Sequence, residues 1–202
     1  MTIFHFIRHE ESEGNAAAKR AKDDGSLRLH IPWPTPDIPL TFTGRLRART
    51  ITPPKADIVV TSPYARAVET MHLCMPGISF YIKDSRLVDK DSGDFDKLSL
   101  KGIETLYPEE WAERQRIGKF YHRPPNGESW EGVAVRVRKF MDQYAGRFES
   151  ILAFSHDVTI LCALYVAQNM TPDEILDYHK HTPIQNGSVT SIEYKGALHA
   201  VS

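Results

Sequence analysis

The sequence predicts an α/β fold: a single three-layer αβα domain spanning residues 1–202, with a mostly parallel central sheet. Three observations lead there. Short apolar runs without helical spacing recur at residues 3–7, 57–61 and 151–154, which is how buried strands read. The latter two run directly into probable helices, and strand followed by helix is the signature of parallel pairing. At 202 residues the chain is long enough for one well-buried domain and short for two.

Taken in order, the first strand ends at Ile7 and delivers Arg8-His9. Residues 22–40 contain Pro32, Pro34, Pro36 and Pro39 and are expected to be mostly loop. After the strand at 57–61, Ser62 is expected to cap a helix whose first position is Pro63, where a missing N–H costs nothing. Arg66 then falls one turn in, near the positive end of that helix. Residues 121–127, with Pro124-Pro125-Asn126-Gly127, form another loop. Residues 131–148 carry Val133, Val137, Phe140, Met141 and Tyr144 at spacings of three and four, an amphipathic helix with Arg136, Arg138 and Lys139 outward. It leads into the strand ending at Phe154. Residues 187–194 and 197–201 read as a hairpin-like pair with Lys195-Gly196 at the turn. Ligands of such sheets collect beyond the carboxyl ends of the strands. His9, Ser62 and His156 each follow a strand directly, so one site can contain all three.

Composition narrows the function classes. A net charge of −1 and the absence of a dense basic block give no electrostatic reason to expect nucleic acid or an anionic membrane as partner. Any anion site must be local. Cys74 and Cys162, each in apolar sequence without metal-ligand spacing, suit buried thiols of a reducing compartment. No signal-peptide layout opens the chain, and no apolar run reaches the roughly 18 residues of a membrane span. A cytoplasmic protein is expected.

Three separated motifs carry the chemistry: Arg8-His9-x-Glu11-Ser12-x-x-Asn15, then Ser62-Pro63-x-x-Arg66-Ala67-x-Glu69-Thr70, then Ser155-His156. In that order they resemble the first branch of the histidine phosphatase superfamily, which includes the cofactor-dependent phosphoglycerate mutases. The resemblance extends to Gly127-Glu128-Ser129 and to Asn186-Gly187-Ser188 near the end. It implies a phosphoglycerate mutase-like fold, His9 as a nucleophile that becomes phosphorylated, and Arg8, Asn15, Arg66 and His156 as ligands of the phosphoryl oxygens, with Ser62 beside them. These residue types suit the task. Charge in a phosphoryl-transfer transition state spreads over the equatorial oxygens, where guanidiniums, an amide and an imidazolium stabilise it. Arginine forks match phosphate geometry.

A general acid must protonate the leaving oxygen. Residues 86–96 resemble the family segment whose glutamate, followed four residues later by glycine, is that acid, and the matching position is Asp89. The carboxyl is kept, one methylene shorter. Asp157 is the alternative, because an aspartate directly after the second histidine is the acid in the family's second branch. A second departure is Glu10, where the family most often has glycine. Strand alternation turns its side chain away from His9. The remaining histidines lack mutual spacing for a metal cluster, and His179-Lys180-His181 reads as a surface or helix-end feature. Lys19, Arg20, Lys22, Arg28 and His30 read as a solvated loop.

The sequence therefore points to a metal-independent phosphomonoester hydrolase without a cofactor, acting on a small phosphate ester through phosphohistidine at His9. Two other readings stand beside it. One is a mutase of the phosphoglycerate type, against which the short span from Asp89 to Gly127 counts, and the other is a non-catalytic module that binds a phospho-ligand.

Overall fold

The computed structural model describes residues 1–196. Its centre is a five-stranded sheet of β1 (Thr2–Arg8), β2 (Ile58–Thr61), β3 (Ile82–Lys83), β4 (Ser150–Ser155) and β5 (Val189–Tyr194). The strand order is β3-β2-β4-β1-β5. β4 runs parallel to both β1 and β2, β3 runs parallel to β2, and only β5 is antiparallel, on the outer edge of β1.

Alternation along the strands sorts the core onto two faces. Ile151 and Ala153 of β4, Val60 of β2, and Phe4 and Phe6 of β1 pack on one side, against α6 (Trp130–Tyr144), α7 (Asp157–Gln168) and α8 (Pro172–His181). Leu152, Phe154, Val59 and Ile7 pack on the other, against Ala67 and Met71 of α3 (Ala65–Cys74). This is the three-layer arrangement expected. α6 presents Val133, Val137, Phe140, Met141 and Tyr144 to the sheet, the residues its periodicity singled out. No helix among the described residues is long and apolar enough to cross a membrane.

Several expectations need correction. The helix after β2 begins at Ala65, with Tyr64 at its cap and no side-chain cap bond, so Ser62 is not the cap and Pro63 is not its first residue. The reason is local. Ser62 N–H donates to Phe154 O at 2.8 Å and extends the β ladder, while its hydroxyl is held by His156, so the chain turns two residues later. Arg136 does not point outward: its guanidinium forms a two-pronged pair with Glu128 at 2.9 and 3.0 Å. Cys74 is only partly buried, although Cys162 is fully buried, and both are free thiols. α1 (Glu13–Asp24) extends past Lys22, into the stretch expected to be loop, and ends at Gly25 with φ +73°. The first strand of the C-terminal pair is β5; residues 197–201 lie outside the described residues.

α2 (Phe42–Ala48) seats directly on the segment after His9. Thr41 accepts from Gly44 N–H at 2.9 Å as its cap, and Thr41 N–H donates to Glu11 O at 2.9 Å. A Cβ on Gly44 would collide with the Glu11 carbonyl oxygen. Gly44→Ala is therefore expected to cost about 1–3 kcal/mol in urea unfolding, by forcing the two backbones apart. An unchanged midpoint would show that this contact yields freely.

Candidate active site

Parallel pairing sets Arg8 opposite Ser155, so His9 and His156 leave adjacent strands at the same level. Their ring centroids lie 5.1 Å apart. Both imidazoles are buried, and His9 lies at the floor of a cleft of about 550 Å³ that Arg8, Asn15, Arg66, Asp89 and Asp157 also help to line.

The hydrogen bonds of His9 fix its tautomer. Nδ1–H donates to the carbonyl of Glu10 at 2.7 Å, so Nε2 carries the lone pair, and Arg66 Nε–H donates to it at 3.2 Å. The backbone is pinned as well: His9 N–H donates to Ser155 O at 3.0 Å, and Glu10 N–H to the Thr70 hydroxyl at 3.0 Å. Burial first, and then the positive charges expected of His156 and Arg66, push the His9 imidazole well below its usual 6.5. His156 is pushed down likewise, by burial and then by Arg66, Arg136 and Arg8.

These shifts bear on stability. Both rings stay neutral in the fold while the unfolded chain takes up protons below 6.5, so stability is present above that value and is lost as pH falls through it. The midpoint of thermal unfolding is expected to drop by roughly 3–5 °C per histidine for each pH unit below 6.5. His156→Gln should lose less than wild type between pH 6.5 and 5 by circular dichroism. Equal losses would show that the ring protonates without cost.

Arg66 connects the site. Its Nη1–H donates to Thr35 O at 3.0 Å and its Nη2–H to Asp89 Oδ2 at 3.0 Å, while its guanidinium lies 4.9 Å from the Tyr64 ring centroid. Arg8 is held by Ile184 O at 2.6 Å and by Asp157 Oδ2 at 3.5 Å. His156 Nε2 engages the Ser62 hydroxyl at 2.9 Å, and its Nδ1 is 3.6 Å from Asp89 Oδ2. Arg8 Nε and His156 Nδ1 are buried with no hydrogen-bond partner among the described residues.

Asn15 serves the helix start as much as the cleft. Its Oδ1 accepts from Ser12 N–H at 3.1 Å in a capping box and from Asn186 Nδ2 at 3.2 Å. That leaves the amide nitrogen as the group able to meet a phosphoryl oxygen. Glu10 turns away from the cleft, as alternation requires: Oε2 accepts from Glu11 N–H at 2.9 Å and lies 3.5 Å from Arg47 Nε.

Three positioning residues escaped the sequence reading. Asn186 donates to His9 O at 2.9 Å; its place in an Asn-Gly-Ser run was visible, its task was not. Thr159 donates to Val88 O at 2.7 Å and ties the segment before Asp89 to α7. Arg136 reaches Arg86 O at 2.5 Å and Asp89 O at 3.3 Å, so the Glu128–Arg136 pair holds the backbone that presents Asp89. Glu128 belongs to a loop zipped onto the Asp89 segment, with Glu128 N–H donating to Asp91 O and Asp94 N–H to Pro125 O, each at 3.0 Å.

Comparison with known proteins identifies the family and the fold. Residues 4–201 match the family model described as the histidine phosphatase superfamily, branch 1. The chain belongs to that branch. A relative by sequence is 6-phosphofructo-2-kinase/fructose-2,6-bisphosphatase 1 of Mus musculus, 26% identical over 85% of this chain and 34% of its own length. This chain thus spans about a third of that relative. By fold, the α-ribazole phosphatase from Shigella flexneri superposes with a TM-score of 0.75 at 20% identity, covering 95% of this chain and 90% of that one. A phosphoglycerate mutase from Thermus thermophilus gives 0.65 at 22%, covering 96% and 95%. This member of branch 1 therefore has a phosphoglycerate mutase-like fold.

Proposed function

We propose that this histidine phosphatase hydrolyses a small phosphate monoester through a phosphohistidine on His9. The observation that carries the reading is the geometry of His9 in the cleft: Nδ1 is bonded to Glu10 O, which leaves Nε2 as the nucleophilic nitrogen, with Arg8, Arg66 and His156 around the ring. In the first step Nε2 attacks phosphorus as the P–O bond to the leaving group breaks. Arg66 exchanges its bond to Nε2 for bonds to the phosphoryl oxygens, joined by Arg8, the Asn15 amide and His156. Asp89, between Arg66 and His156, protonates the leaving alkoxide. The incoming phosphate takes those two partners and leaves the carboxyl free to face the leaving oxygen. In the second step the same carboxylate accepts a proton from water as water attacks phosphorus, and His9 is released. Alkaline denaturing quench during turnover of p-nitrophenyl phosphate should trap a base-stable, acid-labile phosphoryl group on His9. Its absence at full turnover would overturn the mechanism.

Asp157 is the competing acid, but its Oδ1 is occupied by Val158 N–H at 2.8 Å and its Oδ2 faces Arg8. Asp89→Asn is expected to slow an alkyl phosphate by about 10²–10⁴-fold, and p-nitrophenyl phosphate, whose leaving group needs little proton help, by much less. Asp157→Asn should slow both alike and by under about tenfold. The reverse pattern would transfer the role to Asp157.

A further inference from the structure

Behind His9, turned away from the cleft, stands a buried carboxylate that the mechanism above does not use: that of Glu10. Its Oε2 accepts from Glu11 N–H at 2.9 Å and lies 3.5 Å from Arg47 Nε, and its Oε1 fills the space that Gly187 leaves by lacking a Cβ. A charge taken out of water is costly unless it is paired and hydrogen-bonded, and Arg47 is the cation that pairs this one. Arg47 belongs to α2 and also reaches Glu11 Oε2 at 3.4 Å.

What joins this carboxylate to the nucleophile is a single peptide group. The carbonyl of Glu10 and the N–H of Glu11 are parts of one planar unit and point in opposite directions. At one edge the carbonyl accepts from His9 Nδ1–H at 2.7 Å, and at the other the N–H donates to the Glu10 carboxylate. Carboxylate, peptide and imidazole thus stand in series. Hydrogen bonds in series polarise one another, so negative charge at the N–H edge makes the carbonyl a stronger acceptor. The chain is pinned on both sides of this unit, by Thr70 at Glu10 N–H and by Thr41 N–H at Glu11 O.

When Nε2 attacks, the N–P bond forms as the P–O bond breaks, and positive charge appears on a ring whose proton stays on Nδ1. A stronger acceptor facing Nδ1–H holds that charge better, as a carboxylate does when it touches a working histidine directly. We propose that Glu10 is a positioning residue for the nucleophile: its carboxylate, held by Arg47, acts through the Glu10–Glu11 peptide to fix Nδ1–H and to stabilise the ring as it is phosphorylated. This rests on His9 being the nucleophile. The glycine more usual at this position supplies no such group.

Glu10→Gln keeps the shape and an acceptor but drops the charge, and Glu10→Ala drops both. With p-nitrophenyl phosphate, kcat/KM is expected to fall about 10- to 100-fold in Glu10→Ala and less in Glu10→Gln, the scale on which groups behind a working histidine act. The Ki of inorganic phosphate should stay within about twofold, because the groups that hold the anion are untouched. In proton NMR of the free protein, the His9 Nδ1–H resonance should move upfield in Glu10→Ala as its bond weakens. Arg47→Met should give part of the same loss, and the double variant should be no worse than Glu10→Ala alone. Arg116→Met in α5 (Pro108–Ile117), which follows α4 (Leu100–Leu106), breaks an exposed pair with Glu113 and should change none of these. An unmoved Nδ1–H with unchanged kcat/KM would overturn the proposal, as would losses that simply add in the double variant. If Glu10→Ala failed to fold, unchanged kcat/KM in both Glu10→Gln and Arg47→Met would overturn it equally. His9→Ala separates the two readings: full turnover there removes the nucleophile, whereas His9-dependent turnover indifferent to Glu10 removes only the positioning role.

Discussion

His9→Ala is expected to reduce hydrolysis of p-nitrophenyl phosphate by on the order of 10⁴–10⁶-fold, the scale seen when a covalent nucleophile is removed. No other group among the described residues combines a directed lone pair with the ring of donors that His9 has. His156 cannot replace it, because its Nε2 is engaged by the Ser62 hydroxyl. Vanadate should still bind the variant, since Arg8, Arg66 and His156 keep their places on separate elements. Steady-state rates with a vanadate titration read the two effects apart. Retention of most of the wild-type rate would remove His9 from the mechanism, and lost vanadate binding would mean that the ring also builds the anion site.

Arg66→Lys should cost about 10²–10³-fold in kcat, although the charge is kept. One planar guanidinium currently meets His9 Nε2, Thr35 O and Asp89 Oδ2 with three different nitrogens, and an ammonium on a flexible stem cannot span all three. Three things fail together: the phosphoryl oxygens lose a fork, the Thr35 loop loses its tie, and Asp89 loses the partner that places it. A loss below about fivefold would sink this account and leave Arg66 as a mere point charge.

The strands and the site floor were legible in the sequence for a simple reason. β1, β2 and β4 are buried on both faces, so each appears as an unbroken apolar run, and in parallel strands the residue after the run is where ligands collect. His9, Ser62 and His156 follow from that alone. What could not be read depended on long-range partners. β3, only Ile82–Lys83, is too short and exposed to carry a pattern. The capping reading of Ser62 failed because its hydroxyl is used 94 positions away by His156. Arg136 fell at a polar helical position, and periodicity cannot tell a solvated arginine from one that grips a carbonyl of Asp89 across 47 positions.

The position of β1 has consequences for how the protein comes to exist. Of the five described strands, the one that delivers His9 is made before the others, yet it sits between β4 and β5, the two made latest. A nascent chain therefore carries Phe4, Phe6 and Ile7 unpaired until residues beyond 150 leave the ribosome, a long interval of exposed apolar surface and high contact order. The active site and the centre of the sheet form in the same event, so a polypeptide stalled before β4 has every residue of the Arg8-His9 motif and no chemistry.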